Sequence, residues 1–275
     1  MPAAQDRPLV SVVIPAYNAE KTVERLLDSV LGQTWEQLQV FLVDDGSTDR
    51  TAEIADRAAE KDPRLTVIRM ENGGVSAARN AGLARCEGKY IRFADADDTM
   101  PADSIERMVR RAEADGSGFV IGGYEQYFGR KHSRHNLADR NDTVACDDIL
   151  DHLCNHANSY FYGVLWNKLF LRETVVREGC SFREGLVWGE DFAFVMDYLA
   201  GTDIVSFMKD VLYDYRRTAK SATVRQVVDC VRRPVVNTRI KLELYSHLKS
   251  MYIRRGQYEK YRKRLWIYLL RVGLG

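Results

Sequence analysis

Along the first 124 residues, short β-rich apolar runs alternate with segments whose apolar residues repeat at helical spacing. This alternation limits the fold more than any single residue does, because strands joined by crossover helices build a parallel sheet with helices on its faces. Residues 10–14 (VSVVI) read as a buried strand stopped by Pro15. Val23, Leu26, Leu27, Val30 and Leu31 mark one face of a helix, with Asn18 as its N-cap and Gly32 as its stop. Residues 40–43 and 65–68 make two further strands around a helix over residues 51–59, which closes at Asp62-Pro63. Asn72-Gly73-Gly74 turns into a helix capped by Ser76, and residues 90–94 form the fourth strand. Pro101 opens a helix that turns Ile105, Met108, Val109 and Ala112 inward, and residues 119–121 follow as a fifth strand. The expected fold is α/β, a mostly parallel sheet flanked by helices.

In such sheets ligands bind beyond the carboxyl ends of the strands. The residues at those ends are Pro15-Ala16-Tyr17-Asn18, Asp44-Asp45-Gly46-Ser47, Asn72-Gly73-Gly74 and Asp95-Ala96-Asp97-Asp98, so all four converge on one edge. The last run is the most telling. Three carboxylates within four residues repel one another, and a divalent cation is the usual way to offset that at a buried strand end. A cation held by one or two carboxylates, with water and substrate phosphate as its other ligands, points to metal-assisted chemistry on a nucleotide diphosphate.

Beyond residue 124 the alternation breaks. Residues 130–142 are polar and rich in turn formers, which predicts a mobile loop. Phe192, Val195, Met196 and Leu199 resume a helical stripe, with Glu190 and Asp191 in its first turn, where acids favour the helix dipole. Residues 1–8 are polar and the next apolar stretch is short, so no signal peptide is expected. No apolar run approaches the roughly 18 residues that cross a bilayer. Five cysteines without a C-x-x-C pairing fit free thiols in a reducing cytoplasm.

Six motifs fall in the order and spacing of a known family. They are residues 10–18 (VSVVIPAYN), 43–49 (VDDGSTD), 72–80 (NGGVSAARN), 93–98 (FADADD), 166–169 (WNKL) and 189–191 (GED). The chain resembles glycosyltransferase family 2 over roughly residues 8–220. That resemblance implies an inverting, nucleotide-sugar-dependent enzyme of the GT-A fold, with a nucleotide-binding half over residues 8–124 and an acceptor half over 125–223. A basic helical extension occupies residues 224–275.

By the same resemblance, Pro15, Tyr17 and Asp45 line the base and ribose pocket, with Asp45 accepting a hydrogen bond from the base and Asp44 orienting the loop. Asp95 and Asp97 form the D-x-D pair that meets ribose and a divalent metal, Mg or Mn, with Asp97 the direct ligand and Asp98 ambiguous. Gly74 and Arg79 either contact the nucleotide or shape its pocket, Arg79 then serving as a structural ion pair. Asp191 matches the general base that deprotonates an acceptor hydroxyl. Trp166 and Trp188 suit an acceptor platform, and equally a core. Lys168, Glu190 and Arg216 join them as acceptor or lid candidates, Arg216 together with Arg217 and Lys220 ahead of Ser221. The implied partners are a nucleotide-sugar donor, UDP being the commonest nucleotide, and a glycan or lipid-linked acceptor in surface polysaccharide synthesis.

Net charge +1 hides an asymmetry. Residues 224–275 carry 13 Lys/Arg against 3 Asp/Glu, and residues 1–223 carry 27 against 36. Basic and aromatic residues interleave over 258–274, which fits an interfacial anchor on anionic lipid at the inner face of the plasma membrane, or else a packed helix pair or dimer contact. Competing functions fare worse. A nucleotidyltransferase or a dinucleotide-binding oxidoreductase would carry a Gly-rich loop where Pro15-Ala16-Tyr17-Asn18 stands. No nucleic-acid-binding module surrounds the basic tail. A non-catalytic nucleotide-sugar or glycan-binding module is the remaining alternative.

Overall fold

Strand β1 (Val10–Ala16) is buried along its whole length and runs between two parallel neighbours, β2 (Leu38–Asp45) and β4 (Tyr90–Phe93). The computed structural model describes residues 7–136, 141–156, 160–186, 188–217 and 234–273. β3 (Leu65–Met70) extends the parallel group beyond β2. A near-continuous apolar strand such as β1 is stable only when both faces are covered. Helices α1 (Val23–Leu31), α2 (Thr51–Lys61) and α3 (Val75–Leu83) supply the cover and the crossovers. Val23, Leu26, Leu27 and Val30 of α1 are buried, as their spacing requires. Ile105, Met108, Val109 and Ala112 of α4 (Ser104–Asp115) are buried likewise.

The second half of the sheet is mixed. β8 (Lys168–Leu171) runs antiparallel between β4 and β5 (Phe119–Phe128), so β5 points the same way as β4. β9 (Ile204–Arg217) lies parallel to β5, and β7 (Asp142–Ala145) antiparallel to β9. The order is β3-β2-β1-β4-β8-β5-β9-β7. β6 (Lys131–His135) folds back on β5 as a hairpin. Four strand pairings are thus parallel and four antiparallel among the described residues, and "mostly parallel" holds for the first half alone. The expected loop over residues 130–142 contains β6, because a polar, largely exposed strand carries no apolar period to betray it.

Two expected caps differ. Thr22 precedes α1, while Asn18 takes a left-handed turn (φ 51°) and its side chain accepts from the Thr48 N–H at 2.8 Å. Gly74, not Ser76, precedes α3.

A ring cluster joins the two halves. Phe93 at the end of β4 meets Phe170, Phe182 and Phe194 edge to face, at 5.8, 5.3 and 5.5 Å between centroids. Phe194 lies on α8 (Glu190–Leu199), so this packing seats the first turn of α8 over the carboxyl end of β4.

The C-terminal helices α9 (Pro234–Arg254) and α10 (Tyr258–Gly273) share the core through Leu244, Leu248, Tyr252 and Leu265. The Tyr252 hydroxyl donates to the Leu150 carbonyl of α5 (Cys146–His156) at 2.6 Å. Arg255 donates to the Leu199 and Thr202 carbonyls at 2.9 and 2.6 Å, supplying a cation where α8 ends. The boundary expected between residues 223 and 224 lies outside the described residues, as do Lys220 and Ser221. No described helix is long and apolar enough to cross a membrane.

Candidate functional site

The carboxyl ends of β1, β2 and β4 and the start of α8 meet at one edge of the sheet. Asp44 and Asp45 end β2 and are buried. The Asp45 carboxylate accepts from the Gly73 and Gly74 N–H groups at 2.7 and 2.9 Å and from Asn72 Nδ2 at 3.4 Å. Gly46 makes this approach possible: its φ is 71°, and a Cβ there would lie 2.9 Å from the Asn72 nitrogen. Asp44 Oδ1 accepts from the Ser47 N–H at 3.3 Å. The β1 and β2 loops are laced by Asn18 N–H to Ser47 Oγ (3.0 Å), Ala19 N–H to Thr51 Oγ1 (2.7 Å) and Glu20 N–H to Asp49 Oδ2 (3.1 Å). Pro15 is buried within β1, and the Tyr17 ring stands 53% exposed at its end, open to stacking.

The acidic turn follows β4. Asp98 is fully buried, and its Oδ1 accepts from the Arg216 N–H at 2.7 Å, which ties the turn to the end of β9. The Tyr213 hydroxyl accepts from the Asp95 N–H at 3.0 Å. Arg25 of α1 reaches across to donate to the Asp97 carbonyl at 2.9 Å. Burial pushes the Asp97 carboxyl up to about 6, with the neighbouring Asp95 charge adding to it. Burial also raises Asp98 well above the carboxylate range, with Asp97 and Asp95 contributing and the Arg216 N–H opposing.

Arg79 joins this turn to α8. Buried at 4% exposure, its guanidinium contacts Asp191 at 2.6 Å, Asp95 at 3.0 Å and Glu190 at 3.1 Å. Burial alone would lower its proton affinity, but Asp191, Asp95 and Glu190 outweigh that and hold it charged. The Phe182 ring packs against the guanidinium, 5.4 Å from its carbon. Gly189, at φ 84°, turns the chain into α8, and a Cβ there would lie 2.6 Å from Leu244 of α9. Burial raises the Asp191 carboxyl well above its ordinary value and Glu190 and Asp95 reinforce this, against the pull of Arg79. Asp191 still keeps 23% of its side-chain surface, an opening through which a hydroxyl can reach it.

Of the residues singled out by sequence, Asp45 with Gly74, and Arg79 with Asp95, Glu190 and Asp191, stand in direct contact. Arg216 enters through its backbone, and its guanidinium lies over the Tyr127 ring at 4.9 Å. Two of the acceptor-side candidates lie in the core instead. Trp166 is 2% exposed and stacks on Tyr213 and Tyr215, at 4.7 and 5.3 Å between centroids. Lys168 is fully buried and donates to the Val164 carbonyl and to Asn167 Oδ1 at 2.6 and 2.8 Å. Neither presents a surface to an acceptor. Trp188 is half-buried against the core. Asn72 stands at this edge as its place among the strand ends implies, whereas Arg25 belongs to the site but escapes sequence reasoning, because only the fold brings α1 here.

The donor set suits a hard cation. Asp95 and Asp97 lie in one turn at the end of β4, and the Asp95 charge helps raise the Asp97 carboxyl, a pair of oxygen donors of the kind Mg²⁺ or Mn²⁺ takes together with water and substrate phosphate. At Asp97 burial and the Asp95 charge outweigh the opposing charge of Arg25. The residues present therefore fit a divalent cation.

The model of "Glycosyl transferase family 2" matches residues 11–169. Uncharacterized glycosyltransferase EpsJ of Bacillus subtilis is 33% identical over 217 residues, covering 78% of this chain and 63% of EpsJ. Staphylococcus aureus TarS 1-349, solved in complex with UDP-GlcNAc, superposes with a TM-score of 0.71 at 21% identity, over 90% of this chain and 66% of TarS. The mannosyltransferase PcManGT of Pyrobaculum calidifontis, solved with GDP-Man and Mn²⁺, gives 0.58 at 20% identity, over 94% of this chain and 77% of that one. The chain thus spans a little under two thirds of EpsJ and TarS, and the two structural likenesses establish its GT-A fold.

Proposed function

The chain belongs to glycosyl transferase family 2 and is a glycosyltransferase, and from that premise we propose an inverting transfer from a nucleotide-sugar, UDP-linked, to a hydroxyl of a glycan or lipid-linked acceptor. The setting is surface polysaccharide synthesis on the cytoplasmic side of the membrane. One observation carries this proposal: a single buried guanidinium, Arg79, holds the donor-side Asp95 and the base candidate Asp191 at 3.0 and 2.6 Å. Donor and acceptor chemistry then fall within one side chain's reach.

In this mechanism Tyr17 stacks on the base. Asp45 accepts from the base through lone pairs left over by Gly73 and Gly74, since a carboxylate has about four such positions. Asp95 and Asp97 would hold a divalent cation, Mg or Mn, which when bound would neutralise charge on the departing diphosphate, an effect worth several kcal/mol. Asp191 accepts the acceptor's hydroxyl proton at about 3 Å, directly or through one water. The oxygen attacks the anomeric carbon from the face opposite the diphosphate, and one displacement inverts configuration. Arg79 orients Asp191 and opposes the burial that would otherwise hold it protonated. Trp188 and Glu190 border the acceptor, and Arg216 lies at the diphosphate side.

The test is nucleotide release from UDP-, GDP-, CMP- and dTDP-sugars with Mn²⁺, Mg²⁺ or EDTA, for the wild type, Asp97→Ala and Asp191→Ala. Metal-dependent release from one donor, lost in both variants, supports the proposal and names the donor. Donor binding without turnover for any acceptor would favour a binding module. No nucleotide binding at all would refute the site.

A further inference from the structure

Helix α8 carries Asp191 in its first turn, and the C-terminal helix α9 meets α8 at its start, its middle and its end. At the start, the buried Leu244 of α9 packs on the Gly189 backbone, where a Cβ would lie 2.6 and 3.0 Å from its two methyl carbons. In the middle, the buried His247 donates from Nδ1 to Asp197 Oδ1 at 2.9 Å. Just past the end of α9, Arg255 donates to the Leu199 and Thr202 carbonyls, where α8 stops. These contacts follow the same order along both helices.

Two rows of residues divide the surface of α8. Asp191, Phe194 and Tyr198 face the body: Asp191 meets Arg79, Phe194 meets Phe93, Phe170 and Phe182, and the Tyr198 hydroxyl donates to the Gly118 carbonyl. Gly189, Ala193 and Asp197 recur every four residues and form a second row about 130° away around the helix. Gly189 and Ala193 are small and let α9 approach, and Asp197 receives His247. The rings that anchor the body side begin three residues past Asp191, whereas Leu244 bears on the turn itself. A glycine at φ 84° is a pivot that its own side chain does nothing to restrain, so what packs on it sets the direction in which α8 leaves.

We propose that Leu244 and His247 are positioning residues for the transfer reaction. By holding α8 from outside they keep Asp191 seated against Arg79, which makes the C-terminal helix α9 part of the reaction's machinery. The proposal rests on the reading of Asp191 as the base. A base acts within about 3 Å of the proton it takes, and a displacement of about 1 Å can cost about 100-fold in rate. Contacts that merely fixed α9 to the body would change stability and leave turnover of the folded chain alone.

The experiment compares the full chain with Leu244→Ala, the milder Leu244→Val, His247→Ala, His247→Asn and a control, Leu242→Ala, at an exposed position of α9. Circular dichroism confirms that each variant folds, and Leu244→Val replaces Leu244→Ala if the latter does not. Nucleotide release is measured with the donor found by the sugar-nucleotide panel, and hydrogen–deuterium exchange is followed without any ligand. In Leu244→Ala kcat should fall about 10- to 100-fold, and in His247→Ala about threefold or more. Donor KM should stay within about twofold, because the donor residues stand on other elements. His247→Asn keeps an N–H donor near the place of Nδ1 and should recover most of the loss. Added to Asp191→Asn, Leu244→Ala should lower kcat no further, since the two changes act on one group. Amides of residues 192–196 should exchange about tenfold faster or more in Leu244→Ala, with those of β1 unchanged.

Unchanged kcat in a folded Leu244 variant, an equal loss in Leu242→Ala, or a full further loss on top of Asp191→Asn would overturn the proposal. Where no donor is turned over, exchange decides, and unchanged protection of residues 192–196 overturns it. Wild-type turnover in Asp191→Asn would refute the base and the proposal with it. An inactive Asp191→Asn beside a fully active Leu244→Ala would refute the positioning alone.

Discussion

Two groups of carboxylates share the active edge of the sheet and are compensated in opposite ways. Glu190 and Asp191 at the start of α8 meet a buried guanidinium, Arg79, at 3.1 and 2.6 Å. Asp97 and Asp98, a strand end away, are raised by burial, Asp97 also by Asp95 and Asp98 by Asp97 and Asp95, against only the Arg25 charge beside Asp97 and the Arg216 N–H on Asp98. The first group is complete in the folded chain. The second carries excess negative charge that the protein alone leaves partly uncompensated, as suits a site completed by a cation and a diphosphate. In the proposed mechanism the first group is the acceptor side, already paired in the folded chain, and the second is the donor side that ligands would complete.

The comparison can be broken at either end. Asp191→Asn tests the base directly: kcat/KM should fall ~10²–10⁴-fold, with donor affinity by calorimetry unchanged. A smaller loss would move the base elsewhere. Arg79→Ala should make the acceptor side resemble the donor side. Leaving three carboxylates around an empty position should cost about 3–5 kcal/mol, read by denaturant unfolding. Without the guanidinium Asp191 holds its proton more tightly, so residual activity should shift to higher pH.

Asp97→Asn probes the donor side, and its sign is opposite. The folded chain holds the Asp97 proton up to about pH 6, against an ordinary value of 3.8. The stability tied to that proton is present below the ordinary value and is lost as pH rises through about 6. Removing the charge should therefore stabilise the metal-free protein by about 1–3 kcal/mol at pH 7 and by little at pH 4, while abolishing metal-dependent turnover. Melting curves at the two pH values decide it; destabilisation at pH 7 would mean that Asp97 is already compensated. Gly189→Ala gives the smallest effect. Its φ of 84° and the Leu244 contact should cost about 1–3 kcal/mol and tilt the first turn of α8. Intact activity in that variant would show that the turn tolerates displacement.

Much of this was legible in the chain. The parallel half of the sheet follows from apolar runs that need two covered faces, and the helices from their stripes. Burial of Val23, Leu26, Leu27 and Val30, and of Ile105, Met108, Val109 and Ala112, follows their spacing. The strand-end acids were visible because polar residues directly after an apolar run must lie at its mouth. Trp166 was not decidable, since an indole suits a core and a sugar platform equally, and here two tyrosines of β9 close over it. Strand β6 escaped because its residues are polar and nearly all exposed, so no apolar period marks it.

By itself, the amino-acid sequence determined the alternation of strand and helix, the gathering of acids at one edge and the charge split between body and tail. These depend on residue type and spacing, which act locally along the chain. Only tertiary structure decided that Arg79 meets three carboxylates from two distant segments and that Asp45 clasps the backbone of Gly73 and Gly74. It also decided that Arg254, Arg255 and Arg264 of the tail pair with Glu178, Asp147 and Asp151 of the body. Each of these depends on the distance between residues far apart in sequence, which the packed core sets and no local pattern contains.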